Sequence, residues 1–223
     1  MDKVLTGENM MFLLQGAGIS LALALGALLI GMVIGVLMAA GRISKHKIFN
    51  ILCGTYVEVL RGSPMLLQIM FFYLGIPVLI RMMTGVRVRM DVYVVALVAL
   101  SLNSGAYQAE LFRSGIQGVD KGQWEACETL GIGYWPMMLK IILPQAFKRI
   151  VPPLVSEFIT LIKDSSLASC IGTSELMYNA QVLGAHYYDY LTPLLIAGVV
   201  YLCMTLVISW LAHKLERRLA VSD

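Results

Sequence analysis

The sequence predicts an all-α integral membrane protein. Hydrophobic residues make up 58% of its 223 residues, and Asp, Glu, Lys and Arg together make up only 14%. Soluble domains carry roughly 25% charged residues, so this chain has too little charge to cover an apolar core in water. Charged side chains are absent from 33 consecutive residues, Asn9 to Gly41, and from 23 residues, Tyr190 to Ala212. Because roughly 20 apolar residues cross the hydrocarbon core as a helix, each run is long enough to span a bilayer.

The sequence divides into five predicted spans. The first follows a short start that contains Asp2, Lys3 and Glu8, and its apolar run exceeds the ~7–15 residues of a signal peptide, so we expect it to remain as a helix. We interpret Pro152 and Pro153 as the start of the fourth span, because proline is tolerated in the first turn of a helix. Within one transmembrane domain, 1–223, the predicted spans are 10–40, 55–80, 92–110, 150–172 and 190–212, and a long cytoplasmic loop at 113–149 joins the third span to the fourth.

The distribution of Lys and Arg predicts an N-terminus outside the cell and a C-terminus inside it. In this orientation the cytoplasmic segments hold 11 of these residues and the outer segments hold 4, as the positive-inside rule requires. Arg81, Arg87 and Arg89, between the second and third spans, are exceptions to the rule.

The formal net charge of +3 is too small to indicate nucleic-acid binding. The cysteines and histidines are scattered, so neither a metal site nor a cofactor is predicted.

A short amphipathic helix is predicted within the long loop. Asp120 is a favourable N-cap residue, and Gly131 stands where a C-cap glycine would end the helix. Trp124, Cys127 and Leu130 follow one another at a spacing of three, which places them on one face. Such a helix either rests on lipid headgroups or docks into a soluble partner, and the residues alone leave both alternatives open.

This loop resembles the EAA loop of bacterial ABC-importer permeases. The run Glu125-Ala126-Cys127-x-x-x-Gly131, nine further residues and then Ile141-x-Leu143-Pro144 match the spacing of that family throughout. Cys127 replaces the usual second alanine, and both side chains are small. Other stretches resemble the polar-amino-acid branch of the family, which comprises histidine, arginine, glutamine, glutamate and cystine importers. These stretches are Arg61-Gly-Ser-Pro64 with Leu66 and Gln68, Ser101-Leu-Asn103 with Ala106-Tyr107 and Ala109-Glu110, Asp120 to Trp124, and Leu143-Pro-Gln-Ala146 to Leu167.

The resemblance implies a type I ABC importer permease architecture, with five transmembrane helices and a short cytoplasmic coupling helix. It also implies a multi-pass protein of the bacterial cytoplasmic (inner) membrane and three kinds of partner: two copies of an ATP-binding ABC subunit, a second permease subunit (the same or a homologous chain) and an extracytoplasmic amino-acid-binding protein. The residues implied to couple to the ATPase are Trp124, Glu125, Ala126, Cys127 and Gly131. No glycine-lysine dipeptide occurs in the sequence, so the chain lacks a P-loop lysine and ATP hydrolysis is expected on a separate chain. We therefore expect a transport subunit without catalytic residues.

Two carboxylates in the fourth span are candidates for substrate binding, because ionisable groups inside a membrane indicate a functional site. Glu157 and Asp164 are seven residues apart and share one helix face, with Thr160 between them. Counted from Pro152 at ~1.5 Å per residue, Glu157 lies roughly 7 Å and Asp164 roughly 18 Å into the span. Such a face would hold the ammonium group of a polar amino acid, and a second cationic group if the substrate is cationic.

Each of these assignments has a structural alternative. Asp164 would serve only helix packing if it paired with Lys163 or Arg61, although adjacent residues point about 100° apart on a helix. Asn103 and Tyr107, one turn apart in the third span, would add hydrogen-bonding groups to the substrate site, but packing between helices explains them equally well.

Two further pairs at a spacing of three lie near the cytoplasmic ends of spans. Glu110 and Arg113 are expected to form a surface ion pair, and Glu58 with Arg61 is a candidate inner gate.

Two other functions are considered for the chain: an autonomous small secondary transporter or channel subunit, and a purely structural membrane subunit. Five spans are few for a secondary transporter, and no inverted repeat is visible. A structural subunit would have no use for carboxylates within the membrane.

Overall fold

The computed structural model describes residues 5–220, of which only the backbone is described from 215 onward. Its helices are α1 (Gly7–Ile43), α2 (Lys47–Gly62), α3 (Met65–Met70), α4 (Ile76–Thr84), α5 (Val92–Gln117), α6 (Lys121–Thr129), α7 (Tyr134–Met137), α8 (Leu143–Asp164), α9 (Leu176–Tyr187) and α10 (Leu191–Ala220). The described residues contain no strand, so the predicted all-α class is confirmed. Lys3 and the side chains of Arg217 and Arg218, which enter the topology count, lie outside the described part.

Four helical runs in the described residues are long and apolar enough to cross a membrane: Gly7–Ile43, Met65–Thr84, Val92–Gln117 and Leu191–Lys214. The second run consists of α3, α4 and a π-helical turn, Phe71–Gly75, between them. α8 is not among the four, and five of its 22 residues are charged. The predicted number of five spans therefore stays a prediction.

The structure divides the predicted second span, 55–80, between two helices. α2 ends before Ser63, which is extended (φ −108°, ψ 144°) because Pro64 disfavours helical geometry in the residue before it. Gln68 closes this break, since its side-chain nitrogen donates to the backbone oxygens of Leu60 at 2.8 Å and Ser63 at 3.1 Å. These bonds satisfy carbonyl groups that the end of a helix leaves without partners.

The prediction that Pro152 and Pro153 start a helix is wrong. Both prolines lie inside α8, which begins nine residues earlier at Leu143. Pro144 occupies the first turn instead, where a missing N–H costs no helical hydrogen bond. A π-helical turn, Met138–Ile142, connects α7 to α8. Tertiary packing thus carries the helix through two residues that local preference disfavours, and depths measured from Pro152 no longer apply.

α1 and α5 run parallel and approach each other closely. A Cβ atom added to Gly31 would lie 2.8 Å from Gln108 Nε2 and 3.1 Å from the backbone nitrogen of Gly105. A Cβ atom added to Gly35 would lie 2.8 Å from the Gln108 Cβ and 3.1 Å from the backbone nitrogen of Ala109. A side chain at either position would force the Gln108 side chain or the backbone of α5 to shift, so glycine permits this close approach of the two helices.

α8 runs antiparallel to this pair. Its first half packs against the end of α5, and its last two turns pack against the first half of α5. Ile162, near the end of α8, lies in one buried cluster with Ala24, near the middle of the 37-residue α1. The end of α8 is therefore level with the middle of α1. At the start of α1, Leu13 and Ala17 pack against α9 and α10.

We expect Gly35→Ala to lower the midpoint of thermal unfolding of the protein purified in detergent. The added methyl group overpacks the contact between α1 and α5, which costs about 1–3 kcal/mol. Gly18→Ala is the matched control on the same helix, because nothing lies within 4 Å of a Cβ at Gly18 and alanine is the better helix former. A midpoint for Gly35→Ala at or above that of Gly18→Ala would contradict this account of the packing.

Candidate functional site

Glu157 lies on α8 where this helix faces α5. Its side chain is half-buried, and its Oε1 accepts a hydrogen bond from Ser104 Oγ at 2.8 Å. Ser104 Oγ in turn accepts from Gln108 Nε2 at 3.0 Å, and the same nitrogen donates to the backbone oxygen of Leu28 at 3.1 Å. A line of hydrogen bonds therefore runs from the backbone of α1 through α5 to the carboxylate on α8.

Gln108 is fully buried, and its Oε1 is the one buried side-chain oxygen or nitrogen in the described residues that has no hydrogen-bond partner. A buried acceptor without a donor costs about 1–3 kcal/mol. The sequence offered no signal for this residue beyond its place one turn after Ser104. A polar chain of this kind between membrane helices could be found only from the packing of α1 on α5.

Asp164 is the last residue of α8 and is half-buried. Among the described ion pairs, none joins it to Lys163 or Arg61. The guanidinium of Arg61 instead lies over the ring of Tyr107, 5.2 Å from its centroid. Thr160 is exposed on the same face, and its hydroxyl donates to the backbone oxygen of Ser156 within the helix at 3.1 Å. The structure thus keeps Glu157, Thr160 and Asp164 on one face of α8, and within the described residues Asp164 forms no ion pair.

Asn103 does not join this face. Its side chain is buried, and its nitrogen donates to the backbone oxygen of Leu60 at 3.2 Å and to Gln68 Oε1 at 3.1 Å. These contacts hold α5 against the break between α2 and α3, which is the packing role left open by the sequence. Tyr107 is partly exposed but carries Arg61 on its ring. Ser104 rather than Asn103 donates to Glu157, and among the described hydrogen bonds none joins Asn103 or Tyr107 to either carboxylate.

The helix predicted in the long loop is α6, and both of its ends are formed as predicted. Asp120 Oδ1 accepts from the backbone nitrogen of Gly122 at 2.7 Å and caps the first turn. Gly131 has a φ of +68°. Its N–H donates to the oxygen of Glu128 at 3.0 Å, and the N–H of Ile132 donates to the oxygen of Cys127 at 2.9 Å. This is a Schellman ending, in which glycine supplies the left-handed residue.

The apolar face of α6 packs against its own chain. Cys127 is 3% exposed and lies in a cluster with residues of α7 and α8, and Trp124 packs against the same cluster. Leu130, predicted on this face, is instead 74% exposed at the C-cap. Glu125 and Ala126 point outward. Of the five coupling residues predicted from the sequence, Trp124 and Cys127 therefore anchor the helix, Glu125 and Ala126 present a surface, and Gly131 ends the helix.

Ion pairs join the ends of α1, α2 and α5 near the loop. Glu110 pairs with Arg113, as predicted, and also with Arg42 of α1. Among the described ion pairs, none joins Glu58 to Arg61, and Glu58 instead lies 4.0 Å from Arg42.

Glu175, which the sequence reasoning did not single out, is a fully buried carboxylate at the start of α9. It accepts hydrogen bonds from the backbone nitrogens of Met177 and Tyr178, from Ser20 Oγ of α1 at 3.2 Å and from the Tyr201 hydroxyl of α10 at 2.6 Å. With these four donors, the buried carboxylate holds α1, α9 and α10 together. An acidic residue directly before an apolar helical run was the only sequence signal for it.

Comparisons with known proteins agree with this architecture. Residues 31–221 match the family model described as a binding-protein-dependent transport system inner membrane component. The chain is 39% identical to an arginine transport system permease protein of Bacillus subtilis (strain 168) over 223 residues, 100% of this chain and 99% of the relative. It is 38% identical to a putative glutamine transport system permease protein of Rickettsia bellii (strain RML369-C), over 96% of this chain and 95% of the relative. A solved amino acid ABC transporter with histidines superposes with a TM-score of 0.88 at 35% identity, covering 95% of each chain.

We expect Gly131→Ala to speed hydrogen exchange of the amides of residues 131 and 132 about fivefold. A left-handed residue with a side chain costs roughly 1–2 kcal/mol, which opens the end of α6 more often. Gly133→Ala is the matched control, because Gly133 has a negative φ of −62° and its added Cβ would meet only Pro136 at 3.8 Å. Equal exchange in the two variants, measured by mass spectrometry, would show that the ending does not depend on glycine.

Proposed function

Because the chain belongs to the binding-protein-dependent transport system inner membrane component family, we propose that it is the permease subunit of an ATP-driven importer for polar, including cationic, amino acids. The resemblance to amino-acid ABC permeases is confirmed by the curated relatives and by the solved transporter. The chain is a membrane-spanning transport subunit of this class. Its substrate, its coupling to the ATPase and its orientation are the parts that we propose.

The observation that carries the substrate proposal is the carboxylate face of α8. Glu157 and Asp164 lie on this face in the last three turns of α8, the part of the helix that packs at the level of the middle of α1. No described basic residue forms an ion pair with either carboxylate. Two carboxylates on one helix face that form no ion pair within the described part of the chain favour a cationic ligand. A relative named for arginine transport is consistent with this charge.

The exposed side of Thr160 supports a second permease subunit opposite α8. A single chain leaves this polar face uncovered, whereas a second copy or a homologous chain would close it into a pathway between the two. An extracytoplasmic binding protein would deliver the amino acid to the outer side of that pathway. We keep the bacterial inner membrane, with the N-terminus outside, as the proposed location.

Coupling to a separate ATPase is proposed through the outward side of α6, which presents Glu125 and Ala126. α6 is anchored by Trp124 and Cys127 on a cluster that contains the start of α8. A displacement of α6 by a partner would therefore move α8, and with it the carboxylate face at the other end of that helix. This rigid connection favours docking over a helix that only rests on lipid headgroups.

We expect Glu157→Gln and Asp164→Asn each to reduce uptake of radiolabelled L-arginine by about tenfold or more at concentrations below KM. The loss of a charge-assisted hydrogen bond, about 1.5–3 kcal/mol, corresponds to a change of this size. Uptake is measured in cells that lack the chromosomal copy and carry the variant, with L-glutamine as a second probe. A larger loss for L-arginine than for L-glutamine is expected if both carboxylates bind cationic groups.

Asp91→Asn is the control for these amide substitutions. Asp91 caps α5 by accepting from the backbone nitrogens of Tyr93 and Val94, and asparagine caps helices equally well. Uptake by this variant should stay within about twofold of the unaltered protein. Normal uptake by either carboxylate variant would remove that residue from the substrate site.

We expect Glu125→Lys to abolish co-purification of an ABC ATPase with the tagged chain from membranes in mild detergent. The substitution reverses a charge on the exposed side of α6. Cys127→Ala is the control, because it keeps a small side chain in the buried cluster and leaves the exposed side unchanged. Retention of the ATPase, identified by mass spectrometry, with Glu125→Lys would contradict docking through this surface. The complete absence of an ATPase with the unaltered chain would favour an autonomous transporter.

A further inference from the structure

We propose that Ser104 and Gln108 are positioning residues that aim the Glu157 carboxylate at the ammonium group of the substrate. Both residues are fully buried, and neither can contact a ligand itself. Ser104 and Gln108 lie on α5 between Glu157 of α8 and the backbone of Leu28 on α1. The inference rests on the proposed role of Glu157 and adds the residues that determine its orientation.

The direction of each hydrogen bond follows from the groups involved. The backbone oxygen of Leu28 can only accept, so the nitrogen of the Gln108 amide must face it, at 3.1 Å. The second proton of this nitrogen goes to Ser104 Oγ at 3.0 Å. Ser104 Oγ is thereby an acceptor towards Gln108, and its own proton is available for Glu157 Oε1 at 2.8 Å.

The opposite orientation of the Gln108 amide would undo this arrangement. Its oxygen would then lie against the oxygen of Leu28 and would also draw the Ser104 proton away from Glu157. In the orientation present, Gln108 Oε1 is left buried without a donor. The arrangement therefore leaves Gln108 Oε1 without a hydrogen bond, whereas Glu157 Oε1 accepts one from Ser104 Oγ, whose orientation is held by Gln108.

Packing holds the chain of hydrogen bonds in place. A Cβ on Gly31 would lie 2.8 Å from Gln108 Nε2 and 3.1 Å from the Ser104 Cβ, so α1 closes directly over both side chains. Within the described residues, Ser104 is the only hydrogen-bond partner of the Glu157 carboxylate. Oε1 of Glu157 is thus held by Ser104 on α5, and Oε2 remains available to a ligand.

The test is the dependence of uptake on substrate concentration. We expect Ser104→Ala to raise KM on the order of tenfold, the loss of one hydrogen bond to a charged group, with the maximal rate within about twofold. The probe is whichever of radiolabelled L-arginine and L-glutamine the unaltered protein transports. Gln108→Leu should also raise KM, and the double variant should raise it no further, because both substitutions remove the same orientation of Glu157.

Ser101→Ala is the matched control on the same helix. Ser101 is 2% exposed, like Ser104 it is buried, and its hydroxyl donates to the backbone oxygen of Leu97 at 2.6 Å without contacting Glu157. Its KM should be unchanged. Thermal-unfolding midpoints of all variants in detergent separate a loss of folded protein from a change in affinity.

Any of the following results would overturn the proposal. The first is an equal rise of KM in Ser101→Ala and Ser104→Ala. The second is a reduced maximal rate or yield in Ser104→Ala with an unaltered KM, which would show a purely structural role. The third is additive effects of Ser104→Ala and Gln108→Leu. A normal KM in Ser104→Ala together with a raised KM in Glu157→Gln removes only the positioning role, whereas a normal KM in Glu157→Gln removes the proposed substrate site as well.

Discussion

Helices in lipid gain little hydrophobic free energy from packing against one another, so close backbone approach and interhelical hydrogen bonds must hold them together. In this protein α1 and α5 meet that requirement at Gly31 and Gly35, where an added Cβ atom would lie 2.8 Å from the Gln108 side chain and 3.1 Å from the backbone of α5. The remaining helices are arranged around this pair. α8 packs antiparallel on it, and α9 and α10 pack at the start of α1.

The candidate site depends on the same contact. Gln108 reaches the backbone of Leu28 only because α1 is so near, and that bond orients Ser104 towards Glu157. At its other end α8 shares a buried cluster with Cys127 of α6. One helix thus connects the face that carries Glu157 and Asp164 with the surface proposed to meet an ATPase, and a rigid helix would transmit movement between the two.

The sequence predicted some of these features well because they are local. The caps of α6 at Asp120 and Gly131 depend on residues within a few positions of each other, and both are formed. The periodicity of α6 placed Trp124 and Cys127 on one face but did not show what this face contacts. From the sequence, Asn103 could equally serve the substrate site or the packing between helices. Its hydrogen bond to Gln68 on a neighbouring helix favours the packing role.

By itself, the sequence determined the all-α membrane class and the family, because uninterrupted apolar runs and the spacing of a short motif are properties of neighbouring residues. The tertiary structure decided where α8 begins, since packing against α5 carries the helix through Pro152 and Pro153. It also decided which polar residues face Glu157. Partners in a membrane bundle are set by the approach of helices far apart in the chain, and Leu28, Ser104 and Glu157 come together only through that approach.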